Sequence, residues 1–202
     1  GLMGEEILYL QGELILRVGG ASDEAIAKNR FLQEQMFTVL KEERDDAVAE
    51  KRLRTILEDV ISELELSEKE KEIAEASAEA EIKWVLSPWF RHFLTYDPKP
   101  TLMKVKCPVL AINGQKDVQV PPKENLAAIE EALKLAGNKN YTVKELSSLN
   151  HLFQTAQTGA ISEYARIEET ISPTALKIIS DWILEQTEDR SVSDCDCKPS
   201  PH

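Results

Sequence analysis

Apolar residues recur at helical spacing from residue 5 to 84, and beyond residue 107 they gather into runs of strand length. Between Glu5 and Val18, the residues Ile7, Leu10, Leu14 and Val18 fall on one face, with Leu8 and Ile15 beside it. Gly19-Gly20 ends this helix. Ser22 caps the next, with Asp23 and Glu24 in its first turn. Leu32, Met36, Val39 and Leu40 continue the helical pattern into a charged segment, residues 41–50. Leu53, Ile56, Leu57, Val60, Ile61 and Leu64 then give the clearest helical stripe in the chain. Ser67 and Glu70 form a capping-box pattern, which predicts a further helix through the Ala-rich run to about Trp84. The heptad-like spacing is not sustained long enough for a coiled coil, and no internal repeat is present.

The second half reads differently. Cys107-Pro-Val-Leu-Ala-Ile-Asn113 is a continuous apolar run of strand length, the pattern of a strand buried on both faces. Gly114-Gln-Lys-Asp117 follows it, at the end of the strand where open α/β sheets place their chemistry. Pro121 and Pro122 start a helix whose apolar face is Leu126, Ile129, Leu133 and Ala136, closed by Gly137. Tyr141–Leu146 is a second strand, and Asn150-His151-Leu-Phe-Gln154 follows it. A parallel pair joined by that crossover helix would bring both carboxyl ends to one sheet edge, making Asp117 and His151 neighbours. Ser172-Pro173 begins a last helix, expected to turn Leu176, Ile179 and Ile183 inward with Trp182 alongside.

The fold class is therefore α/β, with three segments: a helical block at 1–86, a βαβ-containing part at 87–187, and a polar tail at 188–202 expected to be disordered. Two strands are few for a sheet buried on both faces, and the chain begins at Gly1 without an initiator Met. The expectation is the carboxyl-terminal portion of a longer protein; a self-contained helical protein with one βαβ unit is the plainer alternative. With no native start to judge, no compartment is assigned.

Charge narrows the partners. The 202 residues carry a formal net charge of −12, which argues against nucleic acid or an anionic membrane surface. No run of 18 apolar residues exists to span a membrane. Cys107, at a strand start, is expected to be a buried thiol. Cys195 and Cys197 could form a soft-metal patch with His202, although a disordered end is the simpler reading. With three histidines and no His-x-x-x-His or paired-cysteine spacing, the sequence offers no metal ligand set, and no cofactor is expected.

An acid followed by a histidine on successive post-strand loops is half of a nucleophile–histidine–acid triad. The strings Pro108–Asp117, Leu149–Gln154 and Asp181-Trp-Ile183 resemble the carboxyl-terminal part of an α/β-hydrolase of the serine esterase, lysophospholipase and serine aminopeptidase-like group. The resemblance covers most of residues 1–187 and is most specific at Asp117 and His151. It implies an α/β-hydrolase fold, present in part: a helical cap over the substrate, then the last two strands and their helices. It also implies Asp117 as the triad acid, His151 as the general base, and a small-molecule ester, thioester or amide substrate. Gly-x-Ser-x-Gly is absent, so the expectation is a fragment lacking the nucleophile and inert alone. The missing nucleophile could be Asp, as in dehalogenase or epoxide-hydrolase chemistry on the same fold. Trp89 and Phe90, together with Phe153 after the histidine, are candidates for an acyl or aromatic pocket, with plain core packing the competing role. The alternative from another class is a non-catalytic helical interaction module built on residues 5–84, whose cap helices could also serve as a homodimer face.

Overall fold

The computed structural model describes residues 1–193, with side chains through Glu188. It is mostly helical with a two-stranded parallel sheet, α/β in that broad sense. The chain divides into two compact units, Leu2–Pro98 and the residues from Lys99 onward. That boundary falls later than the expected one after residue 86. The helix following Ser87 buries Phe90 and Leu94 in the core of the helical unit and so belongs to it.

The helical unit contains α1 (Gly4–Val18), α2 (Asp23–Glu42), α3 (Asp46–Ser62), α4 (Glu68–Val85) and α5 (Pro88–Thr95). Its core joins Met36, Phe37, Val39 and Leu40 of α2 to Leu53 and Leu57 of α3, Ile82 and Val85 of α4, and Phe90 and Leu94 of α5. Leu8 and Tyr9 bring α1 onto the same core. The helix ends follow the local chemistry. Ser22 Oγ accepts from Ala25 N at 3.2 Å, and Glu70 accepts from Ser67 N at 2.9 Å. Inside the charged run, Asp45 caps α3 by accepting from Ala47 N and Val48 N. Arg91 secures the turn before it, donating to the carbonyls of Leu40 and Glu43 and to Asp46 Oδ1. Those carbonyls lie at the end of α2, where backbone acceptors lack helical partners. The α3 stripe is only partly used, for Val60 and Leu64 remain exposed.

The second unit holds α6 (Lys99–Leu102), β1 (Val109–Gly114), α7 (Pro122–Leu135), β2 (Tyr141–Leu146), a 3₁₀ turn (Ile161–Arg166) and α8 (Pro173–Ser193). β1 and β2 pair in parallel, from Val109 opposite Tyr141 to Gly114 opposite Leu146. α7 crosses between them and closes at Gly137, whose φ of 69° is the left-handed value glycine tolerates. Buried Asn138 then donates to the carbonyls of Val105 and Cys107, tying the exit of α7 to the approach to β1.

Three expectations are corrected here. Val109, Leu110 and Ile112 are only half-buried, because β1 has a single strand neighbour among the described residues. Cys107 lies ahead of the strand and is exposed rather than buried. On α8 the inward positions are Ala175 and Ile178, with Trp182 half-buried, while Leu176 and Ile183 are about half exposed. The expected face was rotated by about one residue. α8 runs through Ser193, and Cys195, Cys197 and His202 of the proposed metal patch lie outside the described residues, as does most of the expected tail. No helix among the described residues is long and apolar enough to cross a membrane.

Candidate functional site

The parallel pairing brings the loops after β1 and β2 side by side. Gln115 N donates to Leu146 O and Lys116 N to Leu149 O, both at 2.8 Å. Gly114 is required by this approach: a Cβ there would collide with the carbonyl oxygens of Leu149 and Asn150. The first loop turns tightly, with Asp117 N donating to Gly114 O at 3.1 Å.

Asp117 is buried and its carboxylate is fully engaged. Oδ1 accepts from Gln119 N at 2.9 Å and Val120 N at 2.8 Å. Oδ2 accepts from Asn113 Nδ2 at 3.2 Å and meets His151 Nδ1 at 2.9 Å. Two backbone donors thus fix the plane of the carboxylate, leaving the second oxygen for the imidazole. An acceptor of this kind selects the tautomer with the proton on Nδ1, which leaves Nε2 with a free lone pair. Among the described residues, Nε2 forms no hydrogen bond, and the His151 side chain is 36% exposed.

The histidine loop is built around Asn150, which is fully buried. Its Oδ1 accepts from Leu152 N and Gln154 N, its Nδ2 donates to Gln154 Oε1, and its backbone N donates to Gln154 O. Gln154 is held in turn by Glu169 O. Phe153 sits at φ 56°, an uncommon conformation for a bulky residue, and its carbonyl accepts from Ser172 N at the start of α8. His151 is therefore presented by a rigid turn.

The hydrogen bond to Asp117 raises the His151 pKa above its ordinary value, against the opposing effect of burial. The sign of the linkage follows. A pKa raised in the folded protein means that the ion pair stabilises fully below the unfolded value of about 6.5 and fades as pH climbs through the folded one. Urea unfolding of the βαβ unit should therefore shift to lower midpoint as pH rises through neutrality. His151→Gln should flatten that slope. An equal slope in both proteins would show that the pair is not linked to folding.

The structure brings Asp117 and His151 together but separates the roles of the aromatic candidates. Phe90 is buried in the helical core and is not a pocket wall, because Phe90 and Leu94 are four residues apart on the inward face of α5. Trp89 and Phe93 lie on the other face, stacked 5.3 Å apart at 3°, with Trp84 5.4 Å beyond Trp89. Trp89 is exposed and open to contact. Phe153 packs against Leu146, Leu149 and Ala175 as support for the histidine loop. Sequence reasoning assigned no role to Asn113, Asn125, Asn150 or Gln154. A signal existed at Asn113, an amide ending an apolar strand just before a glycine. Among the described residues, no three His, Cys, Asp or Glu side chains gather to hold a metal ion.

Comparison of the chain with protein-family models, with curated proteins and with solved structures yields no match.

Proposed function

We propose that this chain carries the acid and the base of an α/β-hydrolase-type serine hydrolase acting on a carboxylic ester, thioester or amide. The nucleophile and the oxyanion donors belong to residues other than these 202. The observation that carries the reading is the buried, fully engaged Asp117 holding His151 by Nδ1 at 2.9 Å, with Nε2 left unpaired among the described residues. In the reaction, Nε2 takes the serine proton as the hydroxyl oxygen attacks the carbonyl carbon. The imidazolium so formed is stabilised by Asp117, and its proton passes to the leaving group as the acyl-enzyme forms. Water then repeats the cycle with His151 again as base.

Two labelling experiments test this. The 202-residue chain should not be labelled by a fluorophosphonate, at Ser87 or Ser148 or elsewhere. Ser87 caps α5 through Phe90 N, and Ser148 stands at φ 64° with its backbone N on Gln115. A protein that carries this chain together with its nucleophile should be labelled at one serine, and His151→Ala should abolish that labelling. Labelling at full rate in His151→Ala overturns the proposal.

One observation favours a second reading, the helical interaction module. A cleft of about 600 Å³ between α2 and α3 is lined by Leu32, Ile56, Val60 and Leu64, with Phe31 exposed at its edge. The module would depend on Phe31 and be indifferent to His151.

A further inference from the structure

Beyond the acid and the base, one more side chain touches the pair. Asn113 is buried at the end of β1, and its Nδ2 donates to the same oxygen of Asp117 that receives His151. The amide can face only one way: Asn113 Oδ1 accepts from Asn125 Nδ2 at 3.0 Å. A turned amide would set its oxygen against the Asp117 carboxylate and its NH₂ against another NH₂. Asn125 lies in the second turn of α7, where its backbone N donates to Pro121 O. A continuous line of hydrogen bonds therefore runs from the crossover helix through Asn125, Asn113 and Asp117 to His151.

We propose that Asn113 is a positioning residue that sets the basicity of His151 by sharing Asp117 Oδ2, and that Asn125 locks it in the donating orientation. The inference rests on the acid–base reading of the pair given above. Asn113 and His151 compete for one carboxylate oxygen. A donor on a carboxylate oxygen draws on the charge that the oxygen can offer a second donor. With Asn113 in place, Asp117 holds the neutral imidazole in its tautomer without binding the imidazolium at full strength. This keeps His151 a base that can release its proton again, which a general acid–base catalyst requires near neutral pH. Other charged groups nearby are turned elsewhere. Lys116 Nζ donates to the carbonyls of Ala156 and Gln157, and Glu169 accepts from Thr155 N. Asp117 is the charged group whose field reaches the imidazole.

The test needs no turnover. The imidazole of His151 is titrated by NMR in the 202-residue chain, with His92 as internal reference. Asn113→Leu keeps the branched shape, at a somewhat larger volume, and removes the donor. Freed of its competitor, Asp117 should bind the imidazolium more tightly, raising proton affinity about threefold, or about half a pH unit. Asn125→Ala, at a half-buried site, should shift the midpoint the same way by less, because an unlocked amide donates only part of the time. A folded Asn113→Leu whose midpoint is unchanged or lowered overturns the proposal. If Asn113→Leu does not fold, an unchanged midpoint in Asn125→Ala overturns it instead. In a protein that also carries the nucleophile, the acid limb of kcat/KM should move with the NMR midpoint while KM stays constant. Should the hydrolase reading fail, the NMR shifts would still occur and only the kinetic limb would be missing, so the two failures are distinguishable.

Discussion

On the hydrolase reading proposed above, Asp117→Asn in a protein that joins this chain to a serine nucleophile is expected to lower kcat by about 10⁴, the size of the same change in a serine protease triad. The geometry says why the fold should survive while the chemistry does not. Gln119 N and Val120 N both donate to Oδ1, so the amide oxygen of the new asparagine must sit there. Its NH₂ then occupies the Oδ2 position, facing His151 Nδ1 and Asn113 Nδ2. The imidazole must answer as an acceptor, which moves its proton to Nε2 and leaves no lone pair there to take a proton from the proposed nucleophile. The double variant with His151→Ala should be scarcely slower than either single one, because triad members act as a unit. Asp97→Asn is the control: Asp97 is an exposed residue after α5, in the other compact unit, and its loss should leave kcat unchanged. Steady-state ester hydrolysis reads all four proteins. Near-full activity in both single variants at the pair would end the acid–base assignment, and a costly Asp97→Asn would move the acid.

Gly114→Ala should be the most damaging small change to the fold, costing about 3 kcal/mol. The obstacle is two backbone carbonyls, those of Leu149 and Asn150, and neither can swing aside as a side chain would. Relief would require parting the loops that Gln115 N and Lys116 N hold together. Hydrogen exchange should quicken in residues 109–117 and 146–156 and stay unchanged in the helical unit. Gly20→Ala separates this effect from backbone conformation. Gly20 has φ 82° with open space where a Cβ would stand, so only the left-handed penalty of about 1–2 kcal/mol applies. Equal costs at the two glycines would show that the close approach is not what Gly114 serves.

Much of the frame could be read from residue patterns, because caps, glycines and apolar spacing act locally. Ser22, Ser67 with Glu70, Gly137 and Ser172-Pro173 all mark helix ends where the structure has them. The neighbourhood of Asp117 and His151 was legible too, since parallel pairing carries the two loops to one edge whatever their details. What stayed hidden depends on contacts between distant residues. The inward face of α8 is chosen by where Leu146, Leu149 and Ile112 stand, and Ala175 fits there better than the larger Leu176. Arg91 closes the α2–α3 turn from about fifty residues away, a link that no local pattern announces. The amides of Asn113, Asn125 and Asn150 also escaped notice. Asparagine is common in turns, and only the structure shows which of them are buried with every polar atom used.

The residue that shares Asp117 with the histidine is followed directly by Gly114, and Asn-Gly is the dipeptide at which an asparagine side chain most readily cyclises onto the next backbone nitrogen. In the folded chain this reaction is held off. The backbone is extended within the β1–β2 ladder, and both ends of the amide are hydrogen-bonded. Unfolding removes both restraints at once. Succinimide hydrolysis would then leave a carboxylate at the crowded junction beside Asp117, on a backbone either unchanged or lengthened by a methylene. Each excursion to the unfolded state thus carries a chance of permanent chemical ageing, so the lifetime of the acid–base pair depends on how seldom this small sheet opens.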